Sequence, residues 1–187
     1  MPVVAESSIV DHLDFLVMQP DQERAIVRDL VSAVLAFNTH SHGEPLQISF
    51  PLFTDTKVTD RGMLGPCVRV TGPPEKLYVL TLRYEVSAHL RAGRAMTLVR
   101  DRPVVEAGRN ERFSLLGERA KPSKVVVAQA RPLVLAGHSR LIETAGNLGV
   151  AIRDEAAFVA RAESSVASDG SVDPLGFSEQ KTVPVMK

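Results

Sequence analysis

The chain has no tryptophan, two tyrosines and one cysteine in 187 residues. So few aromatic faces leave little on which single-stranded bases could stack. One thiol, Cys67, excludes an intramolecular disulfide framework, and its strand-like setting reads as a small buried apolar residue rather than a nucleophile. Net charge is missing as well. The 22 basic residues balance 22 acidic ones, so total charge demands no polyanion and a nucleic-acid site must come from local clustering. No apolar run nears the roughly 18 residues that span a bilayer, and the N-terminus lacks the basic segment of a secretory signal. A soluble, cytoplasmic protein with no membrane partner is the expectation. Walker-type phosphate loops, a dinucleotide glycine fingerprint and a Gly-x-Ser-x-Gly elbow are also missing, which disfavours the standard nucleotide and hydrolase chemistries.

What is present is 44% apolar content, enough for a core without metal or disulfide support. Leu13, Phe15, Leu16 and Val17 form a first strand over His12 to Val17. Asp21 is placed to cap a helix running to Phe37, in which Ile26, Val27, Leu30, Val31, Val34, Leu35 and Phe37 recur at three- and four-residue spacings. A polar turn follows, and then a half-buried strand from Leu46 to Pro51. Residues 54–66 read as a loop and Cys67 to Thr71 as a third strand. A leucine-bearing helix from Pro74 to near Gly93, in one or two pieces, leads to a fourth strand over Met96 to Val99 and Val104-Val105. The order strand, helix, strand, strand, helix, strand predicts an α+β, ferredoxin-like (RRM-like) domain over 1–106. A smaller mixed region over 107–187 follows, with Val125 to Ala130 and Leu133 to Ala136 as two strands or one strand broken by Pro132, and a further strand around Phe158-Val159-Ala160. A short helix over Arg140 to Leu148 and a turn-rich tail from Pro174 complete it.

Candidate chemistry is sparse. His40-Ser-His42 reads as a metal-binding pair short of further ligands, as a general base near neutrality, or as an exposed polar turn. The richest basic stretch, Arg109 to Lys124, fits a phosphate-neutralising segment or an ordinary solvated one. No metal and no cofactor are expected.

Asp11-His12-Leu13-Asp14, the helix, and Gln47-Ile48-Ser49-Phe50-Pro51 together resemble the start of the CRISPR-associated repeat-processing endoribonucleases of the type I-F kind. Leu64-Gly65-Pro66-Cys67-Val68-Arg69-Val70-Thr71-Gly72 is similar to that family's third strand, and Gly176-Phe177-Ser178 with Val183-Pro184 to its C-terminal motifs. The resemblance implies a subunit that binds the repeat hairpin of CRISPR precursor RNA and cuts it without metal by 2′-hydroxyl attack. It further implies that the product stays bound within a surveillance complex of prokaryotic antiviral defence. It points to His40 or His42 as the base and to Ser178 as the family's serine, with Ser164, Ser165 or Ser168 as a second. Arg109, Arg112, Arg119, Lys121, Lys124 and Arg131 would contact RNA. A gap-free register puts Leu35 at the family's catalytic histidine and Leu175 at its tyrosine, so a subunit of the same fold that caps RNA or binds protein without cutting is the alternative.

Overall fold

The computed structural model describes residues 11–53, 64–98, 105–116, 130–134, 144, 147, 156–168, 170–178 and 181–186. The alternating residues of β1 (His12–Val17) send Leu13, Phe15 and Val17 into the core. Helix α1 (Glu23–His40) packs the same side through Ile26, Leu30, Val34 and their neighbours. Strands β2 (Gln47–Ser49) and β3 (Cys67–Thr71), helices α2 (Pro74–Leu82) and α3 (Tyr84–Arg91), and β4 (Ala95–Leu98) complete the first unit. Its strands form one antiparallel sheet in the order β2-β3-β1-β4.

The ends of α1 differ from the expected ones. Pro20–Gln22 form a 3-10 turn, and α1 starts at Glu23 with no side-chain cap, so Asp21 does not cap it. The helix runs three residues past Phe37 to His40, because Asn38 is buried and held rather than solvated. Its amide donates to Leu46 O at 2.9 Å and to Leu175 O at 3.1 Å, while its Oδ1 accepts from Leu46 N at 2.9 Å. Asn38→Ala would strand all three backbone groups, and we expect it to cost about 3 kcal/mol in urea unfolding. A loss under about 0.5 kcal/mol would mean that water replaces the amide freely.

At the other end, burial pushes the Glu23 carboxyl above the usual carboxylate range, with Arg24 opposing. A raised folded pKa means that the fold favours the protonated acid. The stabilising share is full below the unfolded pKa and is lost as pH rises through the folded one. Stability relative to Glu23→Gln should therefore fall as pH rises above the usual carboxylate range in paired denaturation curves, and a rise there would contradict it.

A second antiparallel sheet has the order β6-β7-β5-β8, from β5 (Val105–Leu116), β6 (Ala130–Val134), β7 (Ala156–Ser164) and β8 (Val183–Met186). Several expectations change here. Val105 opens β5 of this sheet instead of finishing β4, and Arg109 and Arg112 sit on a strand. The tail expected to be turns ends in β8, paired with β5. Pro132 lies within β6, which is an edge strand of the described sheet, where a missing amide hydrogen is tolerated. Of the short helix expected over 140–148 only Thr144 and Asn147 are described, both helical, and the segment 125–129 lies outside the described residues.

One buried cluster spans both sheets. Phe113 of β5 meets Phe50 and Phe53 edge-on, with ring centroids 5.6 and 6.0 Å apart. Above them Arg161 of β7 donates to Glu111 Oε1 at 3.0 Å and to Phe53 O at 3.3 Å. Its guanidinium also lies 5.8 Å from the Phe53 ring centre. The molecule is thus a mixed α+β fold whose described residues include helices α1, α2 and α3 and two antiparallel sheets. Among the described residues no helix is long and apolar enough to cross a membrane.

Candidate functional site

The sheet face turned away from α1 bears Gln47 and Ser49 of β2, Cys67, Arg69 and Thr71 of β3, and His12, Asp14 and Leu16 of β1, since directly paired residues share a face. The one aromatic ring among them is the imidazole of His12, which is buried. Asp14 and Arg69, opposite each other in register, form a two-pronged ion pair at 2.6 and 2.8 Å. Their side chains are only 3% and 4% exposed. A sealed polar face of this kind leaves little accessible ring surface for bases.

Polar groups gather instead where α1 ends. His40 closes the helix and is exposed, with Nδ1 2.7 Å from Ala36 O. A carbonyl only accepts, so Nδ1 carries a proton, and in a neutral ring the lone pair then lies on Nε2. His42 is also exposed, and the turn that holds it is fixed by Lys76, whose ammonium donates to His42 O at 3.1 Å and to Glu44 O at 2.6 Å. Gly43, with φ of +84°, allows the reversal between them.

The C-terminal loop reaches the same place. Gly176 O accepts from Ile48 N at 2.9 Å on the outer edge of β2, and Ser178 N donates to Phe113 O at 2.9 Å, so residues 175–178 bridge the two sheets. Ser178 is buried: its hydroxyl donates to Ser171 O and accepts from Lys181 N, both at 2.7 Å. Lys181 then reaches across to Glu44 Oε1 at 3.0 Å, two residues from His42. Thr182 exchanges hydrogen bonds with the backbone of Ser168, at 2.9 and 3.0 Å. A cavity of about 310 Å³, lined by Asp11, Glu44, Gln47, Thr71 and Lys181 among others, opens beside this junction.

The fold therefore links the His42 turn, Ser178 and Ser168 through Glu44 and Lys181. Ser164 ends β7 and spends its hydroxyl on Val166, donating to Val166 O at 2.8 Å and accepting from Val166 N at 3.2 Å. Leu35 and Leu175 are both fully sealed from solvent, and Asn38, one turn beyond Leu35, binds Leu175 O. Arg109 and Arg112 are exposed on β5, three residues apart and so on opposite sides of the pleat, with Arg109 3.8 Å from Glu163. Arg119, Lys121 and Lys124 lie outside the described residues. Arg131 stands in β6 opposite Val159, its side chain likewise outside them. Among the described residues no three His, Cys, Asp or Glu side chains cluster as metal ligands.

No family model matches the chain, and no curated protein matches it in sequence.

Sequence reasoning missed Asn38, Lys76, Glu44 and Lys181, the groups that hold the junction. Asn38 occupies a position of the apolar helical face, which is the one signal that could have pointed to it. The lysines and Glu44 carry none, because their partners lie as far as 137 residues away.

Proposed function

We propose that the chain is an RNA-hairpin-binding subunit of the CRISPR repeat-processing kind, with a ferredoxin-like first domain, that holds its RNA without cutting it at the family's usual centre. The order strand, helix, strand, strand, helix, strand with the sheet order β2-β3-β1-β4 supports the ferredoxin-like reading. The observation that carries the functional reading is the meeting of Asn38 with Leu175 O. Two stretches that resemble the family's motif segments, 137 residues apart, come together beside Leu35, as a centre assembled from both would require. The side chain that makes the meeting is the amide of Asn38, Leu35 and Leu175 neither accept nor donate a proton, and the hydroxyl of Ser178 is spent on the backbone. Binding with retention needs only the scaffold and exposed cations such as Arg109 and Arg112, whereas cleavage needs a base. The sealed sheet face agrees with recognition of a duplex by shape and phosphates.

A second reading, metal-free cleavage with His40 as base, is favoured by its exposed Nε2 lone pair. Purification of the protein expressed beside its neighbouring genes, followed by sequencing of the bound nucleic acid, tests the proposal. One repeat-derived hairpin species is expected, and recovery of no RNA above background would sink it.

A further inference from the structure

Helix α2, which supplies Lys76 to the His42 turn, carries a second surface together with α3. Helix α2 buries only Leu77 and Leu80, and leaves Tyr78, Val79 and Leu82 exposed, with Tyr84 following at the start of α3. These four side chains are between 48% and 76% exposed, on the order of 500 Å² of surface, which is the size of patch that marks an interaction site on a monomer. Tyr78 and Leu82 stand one turn apart on the same helix face. Tyr84 is also part of the wall of a cavity of about 300 Å³ between α1 and α3, together with Asp29, Ser32, Glu85, His89 and Arg94.

Charge decides what fits there. Asp29 is matched by Arg28 at 2.6 Å and by His89 Nε2 at 3.1 Å, and Glu85 faces Arg83 at 3.8 Å. Each carboxylate of the cavity thus has its own cation. Arg94 has none: its Nε is buried with no hydrogen-bond partner among the described residues, and so is Nδ1 of His89 in the same wall. The Arg94 backbone is held on both sides, N donating to His89 O at 3.0 Å and O accepting from Met18 N at 2.9 Å, and its side chain lines the cavity. A guanidinium without a counter-ion in a partly buried wall is a charge that a carboxylate would pair by charge-assisted bonds.

We infer that α2, α3 and this cavity form a docking site for a protein segment that lays apolar side chains over Tyr78, Leu82 and Tyr84 and places a Glu or Asp carboxylate against Arg94. Tyr78 and Tyr84 can pack against either kind of partner, and Val79 and Leu82 between them tip the choice to protein, because aliphatic side chains offer bases no stacking face. The inference does not rest on the RNA reading: an acidic segment would dock here whether or not the junction binds RNA.

The test uses the full chain and two helix-forming peptides, each with two leucines one turn apart, followed one turn on by glutamate in the first and by glutamine in the second. NMR titration follows the Arg94 Nε–H and Tyr84 ring signals. The glutamate peptide should bind about tenfold tighter. Arg94→Gln should erase that difference while leaving the rest of the spectrum in place, and Leu82→Ser should weaken both peptides. Equal binding of the two peptides, or an unchanged preference in Arg94→Gln, would overturn the inference. So would movement of these signals by a hairpin RNA and by neither peptide, or a dimer in sedimentation that Leu82→Ser dissociates.

Discussion

Replacing Asp14 by alanine will cost the fold about 3–5 kcal/mol, a large part of the stability of an ordinary domain. The carboxylate takes Arg69 Nε at 2.6 Å and Nη2 at 2.8 Å, and both side chains are all but sealed. Removing it leaves a guanidinium in a site with little water to solvate it, and that stranded charge, more than the lost attraction, sets the size of the effect. The pair itself is weak evidence of net stability, since taking two ions out of water offsets most of what they gain from each other. The double variant Asp14→Leu with Arg69→Met should therefore recover most of the loss in urea unfolding. A single Asp14→Ala variant within about 1 kcal/mol of the parent would mean that the pair is solvated.

Gly176→Ala should be nearly as damaging, at about 3 kcal/mol, and for a different reason. Gly176 has φ of +98°, and a Cβ there would run into the backbone oxygen of Leu46 and come 2.7 Å from Asn38 Nδ2. Neither neighbour yields easily, because Asn38 ties the Leu46 backbone to the Leu175 loop. Gly93 provides the comparison. Its φ is +65° but a Cβ would meet nothing within 4 Å, so Gly93→Ala should cost only about 1 kcal/mol of left-handed backbone strain. Thermal unfolding of the two variants checks the contrast. Equal losses would show that strain alone, without the close approach to Leu46, explains Gly176.

The first unit was largely legible because its signals are local. Leu13, Phe15 and Val17 alternate, α1 repeats at helical spacing, and Gly72-Pro73-Pro74 marks the start of α2, all within a few residues of one another. The break between α2 and α3 needed the structure, since one extended residue, Arg83 with ψ of 139°, ends the first helix without a proline or glycine. The second sheet was less legible. Strand β5 mixes Arg109, Glu111 and Arg112 into its run, and its inward carboxylate is satisfied by Arg161, 50 residues away. A period-two apolar pattern is thereby interrupted by an ion pair that only tertiary contact explains. Burial still pushes the Glu111 carboxyl above its usual range, with Arg161 opposing, so this pair too carries a desolvation cost.

The candidate site divides in the same way. His40 and His42 stand out as titratable side chains beside a helix end, but their setting depends on Lys76 and on a loop from the far end of the chain. Ser178 matched a motif, yet its hydroxyl closes a turn between Ser171 and Lys181. A short motif fixes residue type and spacing; it does not fix which lone pairs the backbone has already taken.

The most direct measurement incubates the protein with a labelled repeat hairpin in EDTA and follows retention and cutting together. The expected result is tight retention of the intact hairpin over a scrambled one, with no product. Failure to retain it would contradict the binding claim, and metal-free cutting that His40→Ala abolishes would contradict retention without cleavage.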